Sequence, residues 1–251
     1  MKIVQISDCH LFSDREKTAY KQINPYLTLA SVLTKIKELT PDLVVASGDI
    51  SGDKSLQSYQ HFSALWRHHK LACELIVIPG NHDDEAHMRA HFPAQQFPLS
   101  YAPRSLKTWQ MHFLNSKLAD DTKGRVSARD LQQLQHDLTA MPDANHIIAV
   151  HHHPIDCNGW MDKHEWLNRS DFIAIVRANP QVKGVIYGHI HHASEHLIGK
   201  CRLMSAPSTC WQWTNQTDFA VSDELPGFRL LELGENGDFY SHVIRIEGNK
   251  N

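Results

Sequence analysis

With 251 residues, of which 41% are hydrophobic, the chain is long enough to bury one substantial core, and we expect a single domain over residues 1–251. A formal net charge of -3 and a pI near 6.7, with Lys and Arg scattered along the chain, exclude a broad basic surface for nucleic acid. No apolar run reaches membrane-spanning length, and the first residues turn polar too early for a signal peptide. The five cysteines contain no C-x-x-C pair, as expected where thiols stay reduced. We therefore expect a cytoplasmic protein without a membrane partner.

Short runs rich in Val, Ile and Leu predict buried strands along the chain. The first six runs cover residues 2–6, 43–46, 74–78, 111–114, 147–150 and 182–187. Three later runs, at 202–205, 228–233 and 239–246, are expected to complete a second sheet, and Gly234 to Gly237 predict a hairpin turn between the last two.

Apolar residues at helical spacing lie between these runs and predict three helices. Their stripes are Leu27, Val32, Leu33 and Ile36 before Pro41, then Tyr59, Phe62, Leu65 and Trp66, then Leu131, Leu134, Leu138 and Met141. The third helix is expected to begin at Ser127 to Asp130, which resembles a capping box with Asp in place of Glu. The alternation predicts an α/β fold in which two mixed β-sheets pack face to face and are flanked by helices.

Metal-capable side chains follow five of the predicted strands in short clusters. The clusters are Asp8-x-His10, Gly48-Asp49, Gly80-Asn81-His82-Asp83, His151-His152-His153-Pro154 and Gly188-His189-x-His191. Because ligands in α/β enzymes lie beyond the carboxyl ends of strands, we expect the clusters to meet. Carboxylate, amide oxygen and imidazole form a mixed set that suits Mn, Fe and Zn, whereas a closed structural zinc site needs thiolates. The pattern predicts a catalytic centre for two metals.

Each cluster also has an ordinary explanation when it is taken alone. Asp8 and His10, at i and i+2, would reach one ion from the same face of an extended segment, but either could be a turn residue. Asn81 would normally be a loop residue. Only one of the three successive histidines is expected to bind a metal, and we favour His151; His192 is expected to face away. The long segments 83–110 and 152–168, which leave directly from clusters, are predicted to be irregular.

The order of the five clusters resembles the signature of the calcineurin-like metallophosphoesterase superfamily, which runs D-x-H, G-D, G-N-H-[DE], H and G-H-x-H. Within it, the chain looks like the bacterial class III cyclic nucleotide phosphodiesterases over nearly its whole length, including segments 55–62, 206–210 and 225–229. The resemblance implies that Asp8, His10, Asp49 and His191 hold one metal, and that Asp49, Asn81, His151 and His189 hold the other.

The same resemblance implies a phosphoric diester hydrolase for 3′,5′-cyclic nucleotides, with cyclic AMP giving 5′-AMP. Two divalent ions per chain, Fe²⁺ and/or Mn²⁺ with Zn²⁺ also possible, would lie about 3.5–4 Å apart and share the attacking hydroxide. His82 and Asp49 are the expected catalytic residues, with His82 protonating the departing sugar oxygen and Asp83 orienting His82. The expected substrate contacts are His10, Asp49, Asn81, His82, His151 and His191.

Selectivity for the base does not follow from the sequence. Trp211, Trp213, Thr209 and Asn215 are candidate contacts, although core packing or an exposed loop patch explains each of them as well. Cys9 stands where the family often has Thr and is expected to be a small packing residue. Other small phosphodiesters or phosphomonoesters, such as glycerophosphodiesters and 2′,3′-cyclic nucleotides, and an inactive metal-binding scaffold remain open alternatives, and a nuclease is the least favoured.

Overall fold

The computed structural model describes residues 1–97 and 103–247, and the strands there form two mixed sheets. In chain order the strands are β1 (Lys2–Ile6), β2 (Leu43–Ala46), β3 (Glu74–Val77), β4 (Arg104–Leu106), β5 (Trp109–Phe113), β6 (Asn145–Ala149), β7 (Val182–Tyr187), β8 (Glu195–Ile198), β9 (Cys201–Ser205), β10 (Gly227–Leu233) and β11 (Phe239–Arg245). The first sheet has the order β11-β10-β1-β2-β3 and the second β4-β5-β6-β7-β9-β8.

Each sheet contains a set of neighbouring parallel strands that is extended by antiparallel pairing. In the first sheet β1, β2 and β3 are parallel, β10 pairs antiparallel with β1, and β11 pairs antiparallel with β10. In the second sheet β5, β6, β7 and β9 are parallel, and β4 and β8 are antiparallel edges. The carboxyl ends of the parallel strands in each sheet therefore lie at one edge, where loops can present side chains.

Alternation along the strands divides the core into an inter-sheet layer and two helix-facing layers. The inter-sheet cluster contains Ile3, Val45 and Ile76 from the first sheet with Met111, Ile147 and Ile186 from the second. The intervening residues of the same strands, such as Val4 and Ile148, belong to separate buried clusters with the helices. This arrangement confirms the predicted fold of two packed mixed sheets with flanking helices.

The helices are α1 (Pro25–Leu39), α2 (Leu56–His69), α3 (Glu85–His91), α4 (Ala128–Ala140) and α5 (Arg169–Ala178). Asn24 caps α1 by accepting bonds from two backbone N–H groups, and Pro25 occupies its first turn. Ser127 caps α4 by accepting from the Asp130 N–H, as the sequence predicts. The reciprocal bond of a capping box differs, because the Asp130 carboxylate accepts from the Ser127 hydroxyl instead of the Ser127 backbone.

Four expectations about the elements were wrong or incomplete. The β10–β11 hairpin joins β1 in the first sheet instead of completing the second, since the order of strands in the chain does not fix their pairing. Leu27 is 44% exposed and is not part of the buried stripe of α1. Segment 83–110, predicted to be irregular, contains α3 and β4, while its residues 98–102 lie outside the described chain. Neither α5 nor β8 was predicted. Within the described ranges, no helix is long and apolar enough to cross a membrane.

Candidate active site

Loops at the carboxyl ends of β1, β2, β3, β6 and β7 converge at one edge of the two sheets. Backbone bonds tie them together: the Asp8 N–H donates to the Gly48 carbonyl at 3.0 Å, and the His10 N–H donates to the Asp49 carbonyl at 2.9 Å. In the second sheet the Gly188 N–H donates to the His151 carbonyl at 3.0 Å. The loops are thus held in fixed register before any cation is considered.

The structure brings together all seven side chains that the sequence predicted as metal ligands. We call this set the cation group; its members are Asp8, His10, Asp49, Asn81, His151, His189 and His191, and all are buried. One half contains Asp8, His10 and His191, and the other contains Asp49, His151 and His189, with the possible ligand atoms in each half within 4.8 Å of one another. Asp49 also lies near His10, so its carboxylate connects the two halves.

Short distances define the first half. The Nε2 atoms of His10 and His191 are 2.9 Å apart, and His191 Nε2 is 3.5 Å from Asp8 Oδ1. Asp49 Oδ2 is 3.8 Å from His10 Nε2. Two imidazole nitrogens at such a distance need a proton or a cation between their lone pairs, so this arrangement fits a metal ion.

The second half is centred on His151, whose Nε2 is 3.2 Å from Asn81 Oδ1 and 3.5 Å from Asp49 Oδ2. His189 approaches from the neighbouring strand, with its ring centroid 5.1 Å from that of His151. A carboxylate, an amide oxygen and two imidazoles at these positions form the mixed oxygen and nitrogen set that suits Mn, Fe and Zn.

Backbone carbonyls fix the orientation of three histidine rings. Nδ1 of His151 donates to the Ser47 carbonyl at 2.8 Å, and Nδ1 of His191 donates to the Trp211 carbonyl at 2.9 Å, which leaves Nε2 of both rings facing the cation group. His189 is turned the other way, because its Nε2 donates to the His164 carbonyl at 3.1 Å and Nδ1 is left to face inward. Such outer hydrogen bonds set the tautomer of metal-binding imidazoles.

Burial and mutual charge shift the protonation of the cation group. Burial raises the pKa of Asp8 to about 7 and lowers that of His191 to about 3. Burial opposes charge on His151, but attraction to Asp49 outweighs burial and raises the pKa of His151 to about 9. Burial would raise the pKa of Asp49, but attraction to His151 outweighs it and holds the Asp49 pKa well below its usual value. A cation bound here would replace protons within the group.

Five members of the cation group have left-handed backbone conformations that non-glycine residues seldom adopt. Their φ angles lie between 44° and 71°, at Asp8, His10, Asp49, His189 and His191. Asp8 and His10 therefore do not reach inward from an extended segment, as the i, i+2 argument assumed. They lie in an irregular segment after β1, which ends at Ile6. Unfavourable backbone of this kind is typical of functional sites.

His82 and Asp83 behave differently although they are adjacent. His82 is exposed at the cation group; its N–H donates to Asp49 Oδ1 at 2.8 Å, and its ring centroid is 5.0 Å from that of His10. Asp83 is buried, and the prediction that it orients His82 was wrong. Its carboxylate accepts from the N–H groups of Ile50, Ser51 and Gly80 and from the Tyr59 hydroxyl, so it binds the loops after β2 and β3 together.

The neighbouring histidines and Cys9 lie outside the cation group. His152 pairs with the Ser116 hydroxyl at 2.7 Å, and His153 is buried with Nε2 3.6 Å from Asp162. His192 is turned toward Glu224, at 4.0 Å. Cys9 is fully buried, and burial raises the pKa of its thiol to about 12, as suits a packing residue.

A cavity of about 300 Å³ opens directly above the cation group. Its floor includes His10, Asp49, Asn81, His82, His189 and His191, and its walls include Trp211 and Trp213. Thr209 and Asn215, the other candidate base contacts, are absent from the described residues that line it. Sequence reasoning missed Tyr20, Trp160 and Phe219 in the walls; the one available signal was that Trp160 lies in the long segment 152–168.

The profile of the calcineurin-like phosphoesterase family matches residues 1–193, which include every member of the cation group. The chain belongs to this family. Its membership confirms the resemblance seen in the sequence, and together with the clustered His and Asp side chains it indicates that this phosphoesterase uses divalent metals.

Relatives of similar length support a finer placement. This phosphoesterase is 33% identical over 250 residues to a 3′,5′-cyclic adenosine monophosphate phosphodiesterase of Vibrio vulnificus, covering 98% of this chain and 90% of the relative. It is 31% identical to a 3′,5′-cyclic-nucleotide phosphodiesterase of Nostoc sp., covering 98% and 92%, and 31% identical to the corresponding cyclic AMP enzyme of Escherichia coli K12, covering 98% and 90%.

Solved structures confirm the fold. A dimetal phosphatase from Danio rerio has a TM-score of 0.67 at 12% identity, with 98% of this chain and 99% of that chain covered. A purple acid phosphatase from yellow lupin seeds has a TM-score of 0.65 at 12% identity, with 98% of this chain and 53% of that chain covered. At such identities the likeness concerns the arrangement of sheets and helices and not the substrate.

Proposed function

We propose that this phosphoesterase hydrolyses 3′,5′-cyclic nucleotides and converts cyclic AMP to 5′-AMP. The observation that carries the proposal is the convergence of seven oxygen and nitrogen donors beneath a cavity of about 300 Å³ with the exposed His82 at its floor. Relatives at 31–33% identity over 98% of the chain are named as phosphodiesterases of this substrate class, which supports the same assignment here.

The donors divide into two proposed binding positions. Asp8, His10, Asp49 and His191 would hold one divalent ion, and Asp49, Asn81, His151 and His189 would hold the other, with Fe²⁺ and Mn²⁺ preferred and Zn²⁺ possible. When bound, two such ions neutralise phosphoryl oxygens and make water acidic enough to supply a nucleophile near neutral pH.

The side chains of the chain itself supply orientation and a proton. The backbone N–H of His82 donates to the Asp49 carboxylate at 2.8 Å and holds it in place. The connecting carboxylate is therefore bonded directly to the residue that is proposed as the acid. A water oxygen that loses its proton attacks phosphorus, so that a new P–O bond forms as the P–O3′ bond breaks, and a ring nitrogen of His82 donates the proton that the departing O3′ takes up. The proposed substrate contacts are His10, Asp49, Asn81, His82, His151 and His191; all of them except His151 line the cavity.

We further propose that residues 1–251 form one domain that acts in the cytoplasm on a small-molecule substrate, without nucleic acid or membrane as a partner. The net charge of -3 supports this, since a phosphate backbone is bound through basic surfaces. The five cysteines, all free thiols, agree with a reducing compartment.

The test is a substrate panel with the purified protein supplied with Mn²⁺ or Fe²⁺. We expect 5′-AMP from 3′,5′-cyclic AMP and slower turnover of 2′,3′-cyclic AMP and bis(p-nitrophenyl) phosphate. Cleavage of bis(p-nitrophenyl) phosphate without any formation of 5′-AMP would leave a phosphodiesterase but reject the cyclic nucleotide as its substrate. No cleavage of any compound by the metal-loaded protein would reject the enzymatic assignment.

A further inference from the structure

Five aromatic side chains form a continuous surface on one side of the cavity. We call it the aromatic wall; its members are Tyr20, Trp160, Trp211, Trp213 and Phe219, and all line the cavity. Ring centroids of neighbouring members are 4.8 Å apart for Tyr20 and Trp213, 4.9 Å for Trp160 and Phe219, and 5.2 Å for Trp213 and Phe219. The members come from remote parts of the chain, so the wall is a product of the fold.

The wall begins directly at the cation group. Trp213 stacks on His191 with centroids 4.8 Å apart and planes 20° from parallel, and Trp211 stacks on His10 at 5.4 Å. Both indoles are buried and form the base of the wall. A group attached to a phosphate at the cation group would therefore lie within reach of the wall.

The outer members of the wall are poorly covered. Tyr20 is 44% exposed and Phe219 is 49% exposed, and both lie on the concave surface of the cavity. Large aromatic side chains gain from contact with another apolar surface, and flat rings gain most from a flat partner. Their exposure at this position suits a ligand with an aromatic ring.

Two hydrogen-bond donors in the wall lack an acceptor. The indole N–H groups of Trp160 and Trp211 are buried, and neither has a partner among residues 1–97 and 103–247. A buried indole N–H normally has an acceptor, because leaving it unpaired costs free energy. Because both nitrogens are buried, the wall offers a ligand the surfaces of its rings.

We propose that the aromatic wall is the nucleobase subsite, and that it recognises the face of the base by stacking. The inference rests on the proposed function, since a phosphodiester at the cation group places its attached base beside the wall. Tyr20 and Phe219, the exposed members of the wall, stack on the base. Stacking on aromatic side chains tolerates different bases, because every base presents a π face.

The subsite has few groups that could read the edge of a base. Outside the cation group and His82, the described lining residues with polar side-chain atoms are Tyr20, Thr122, Trp160, His164, Trp211 and Trp213. Thr122 and His164 already bond each other at 2.7 Å. Indole nitrogens are donors only, and those of Trp160 and Trp211 are buried. The wall therefore favours nucleotides over phosphodiesters without a base, but separates adenine from guanine only weakly.

The test compares the binding of 5′-AMP with that of ribose 5-phosphate, which lacks the base, to the Mn²⁺-loaded protein by titration calorimetry. We expect the wild type to bind 5′-AMP at least about tenfold more tightly, as loss of one stacked base predicts. In the double variant Tyr20→Leu with Phe219→Leu, which keeps apolar volume but removes both rings, the ratio should fall below about threefold, with ribose 5-phosphate binding unchanged. Tyr240→Leu is the matched control, since Tyr240 is 68% exposed and lies on β11 outside the cavity lining.

An equal ratio in the wild type and the double variant overturns the subsite, as does absence of 5′-AMP binding. Weaker binding of both ligands by the double variant to the same degree also overturns it, since the effect would then not concern the base. The binding ratio is independent of turnover. If the ratio falls as expected but the protein does not hydrolyse cyclic nucleotides, the subsite is retained and the proposed function is rejected. If the protein hydrolyses cyclic nucleotides but the ratio is unaffected, the proposed function is retained and the subsite is rejected.

Discussion

His82 is exposed at the floor of the cavity, next to Asn81 in the chain and with its ring 5.0 Å from that of His10. If it protonates the leaving oxygen, His82→Ala should lower kcat for 3′,5′-cyclic AMP by roughly 10²–10⁴-fold. The metal content should stay at the wild-type value, because the seven members of the cation group are retained. Turnover and elemental analysis of the same preparation check both statements.

The geometry also offers the opposite outcome, because a ring nitrogen of His82 lies within 4.8 Å of the possible ligand atoms of His10 and Asp49. Loss of a metal together with activity in His82→Ala would make His82 a ligand and contradict its role as the acid. His242→Ala, which changes a half-exposed histidine on β11, should leave turnover and metal content unchanged.

Gly48 precedes Asp49 and has a φ of 103°, which favours glycine. A Cβ atom there would overlap the His151 imidazole. We expect Gly48→Ala to displace His151, reduce the bound metal and destabilise the fold by more than the roughly 1 kcal/mol of an unfavourable φ alone. Chemical denaturation and metal analysis measure these effects.

Gly199→Ala is the matched control, since Gly199 also has a positive φ of 59° but no atom lies within 4 Å of the added Cβ. It should show the backbone cost without loss of metal. Equal destabilisation by the two substitutions, with metal retained in both, would show that the approach of His151 to Gly48 does not matter.

At the residue scale, the sequence predicted which side chains meet but not how the backbone delivers them. Residue types and their order after apolar runs were sufficient to select Asp8, His10 and Asp49, because carboxylates and imidazoles after strands suit metals. The left-handed conformations of these residues were not predictable, since they depend on contacts between loops that are remote in sequence. The same reason explains Asp83, whose partners at Ile50 and Ser51 lie more than thirty residues away.

Among the elements, β5 and β6 contain a buried histidine pair. His146 Nε2 donates to the Met141 carbonyl at 2.9 Å, and His112 Nε2 donates to His146 Nδ1 at 2.8 Å. Burial, and secondarily His146, lowers the pKa of His112 to about 3. Both rings are therefore neutral in the folded protein, and a proton added to His112 would place a charge on a buried ring.

The sign of the pH effect follows from this lowered pKa. Between pH 6.5, near the usual histidine pKa, and about pH 3, His112 is protonated in the unfolded chain but neutral in the folded protein. The stability therefore falls as the pH falls. We expect the free energy of unfolding of the wild type to decrease more steeply than that of His112→Leu in this range, by at most about 1.4 kcal/mol per pH unit. Denaturant unfolding at several pH values measures the two slopes.

His136→Leu, at an exposed position on α4, should keep the slope of the wild type. Parallel slopes for wild type and His112→Leu would mean that the β5–β6 pair accepts a proton without cost.

The elements also show where sequence patterns stop being informative. Apolar runs located β1, β2 and β7 at the observed bounds, because buried strands need continuous apolar residues. The partner of β10 could not be read in the same way, since Phe228 and Leu231 are buried on opposite faces and would suit either sheet. The short edges β4 and β8 lack such runs, and Glu195 to Leu197 of β8 are exposed.

On the scale of the whole molecule, the cation group joins the two sheets. Asp8, Asp49 and Asn81 follow strands of the first sheet, whereas His151, His189 and His191 follow strands of the second. A cation held by both sets would resist separation of the sheets, since binding to the folded state alone shifts the unfolding equilibrium. The sequence predicted the donors, and the topology explains why the first four in the chain come from one sheet and the last three from the other.

Removal of metal should therefore lower the thermal stability of the entire fold. For protein treated with a chelator and then supplied with Mn²⁺ at about 100 times its dissociation constant, linkage gives roughly 2.7 kcal/mol, or an increase in Tm of roughly 5–10 °C for a chain of this size. Asp49→Asn, which keeps the shape of the connecting side chain but removes its charge, should lose most of this increase. Differential scanning calorimetry with and without Mn²⁺ measures this increase. An unchanged Tm in the wild type would contradict a cation that bridges the sheets, because it would mean that the donors of one sheet bind the ion alone or that no ion binds.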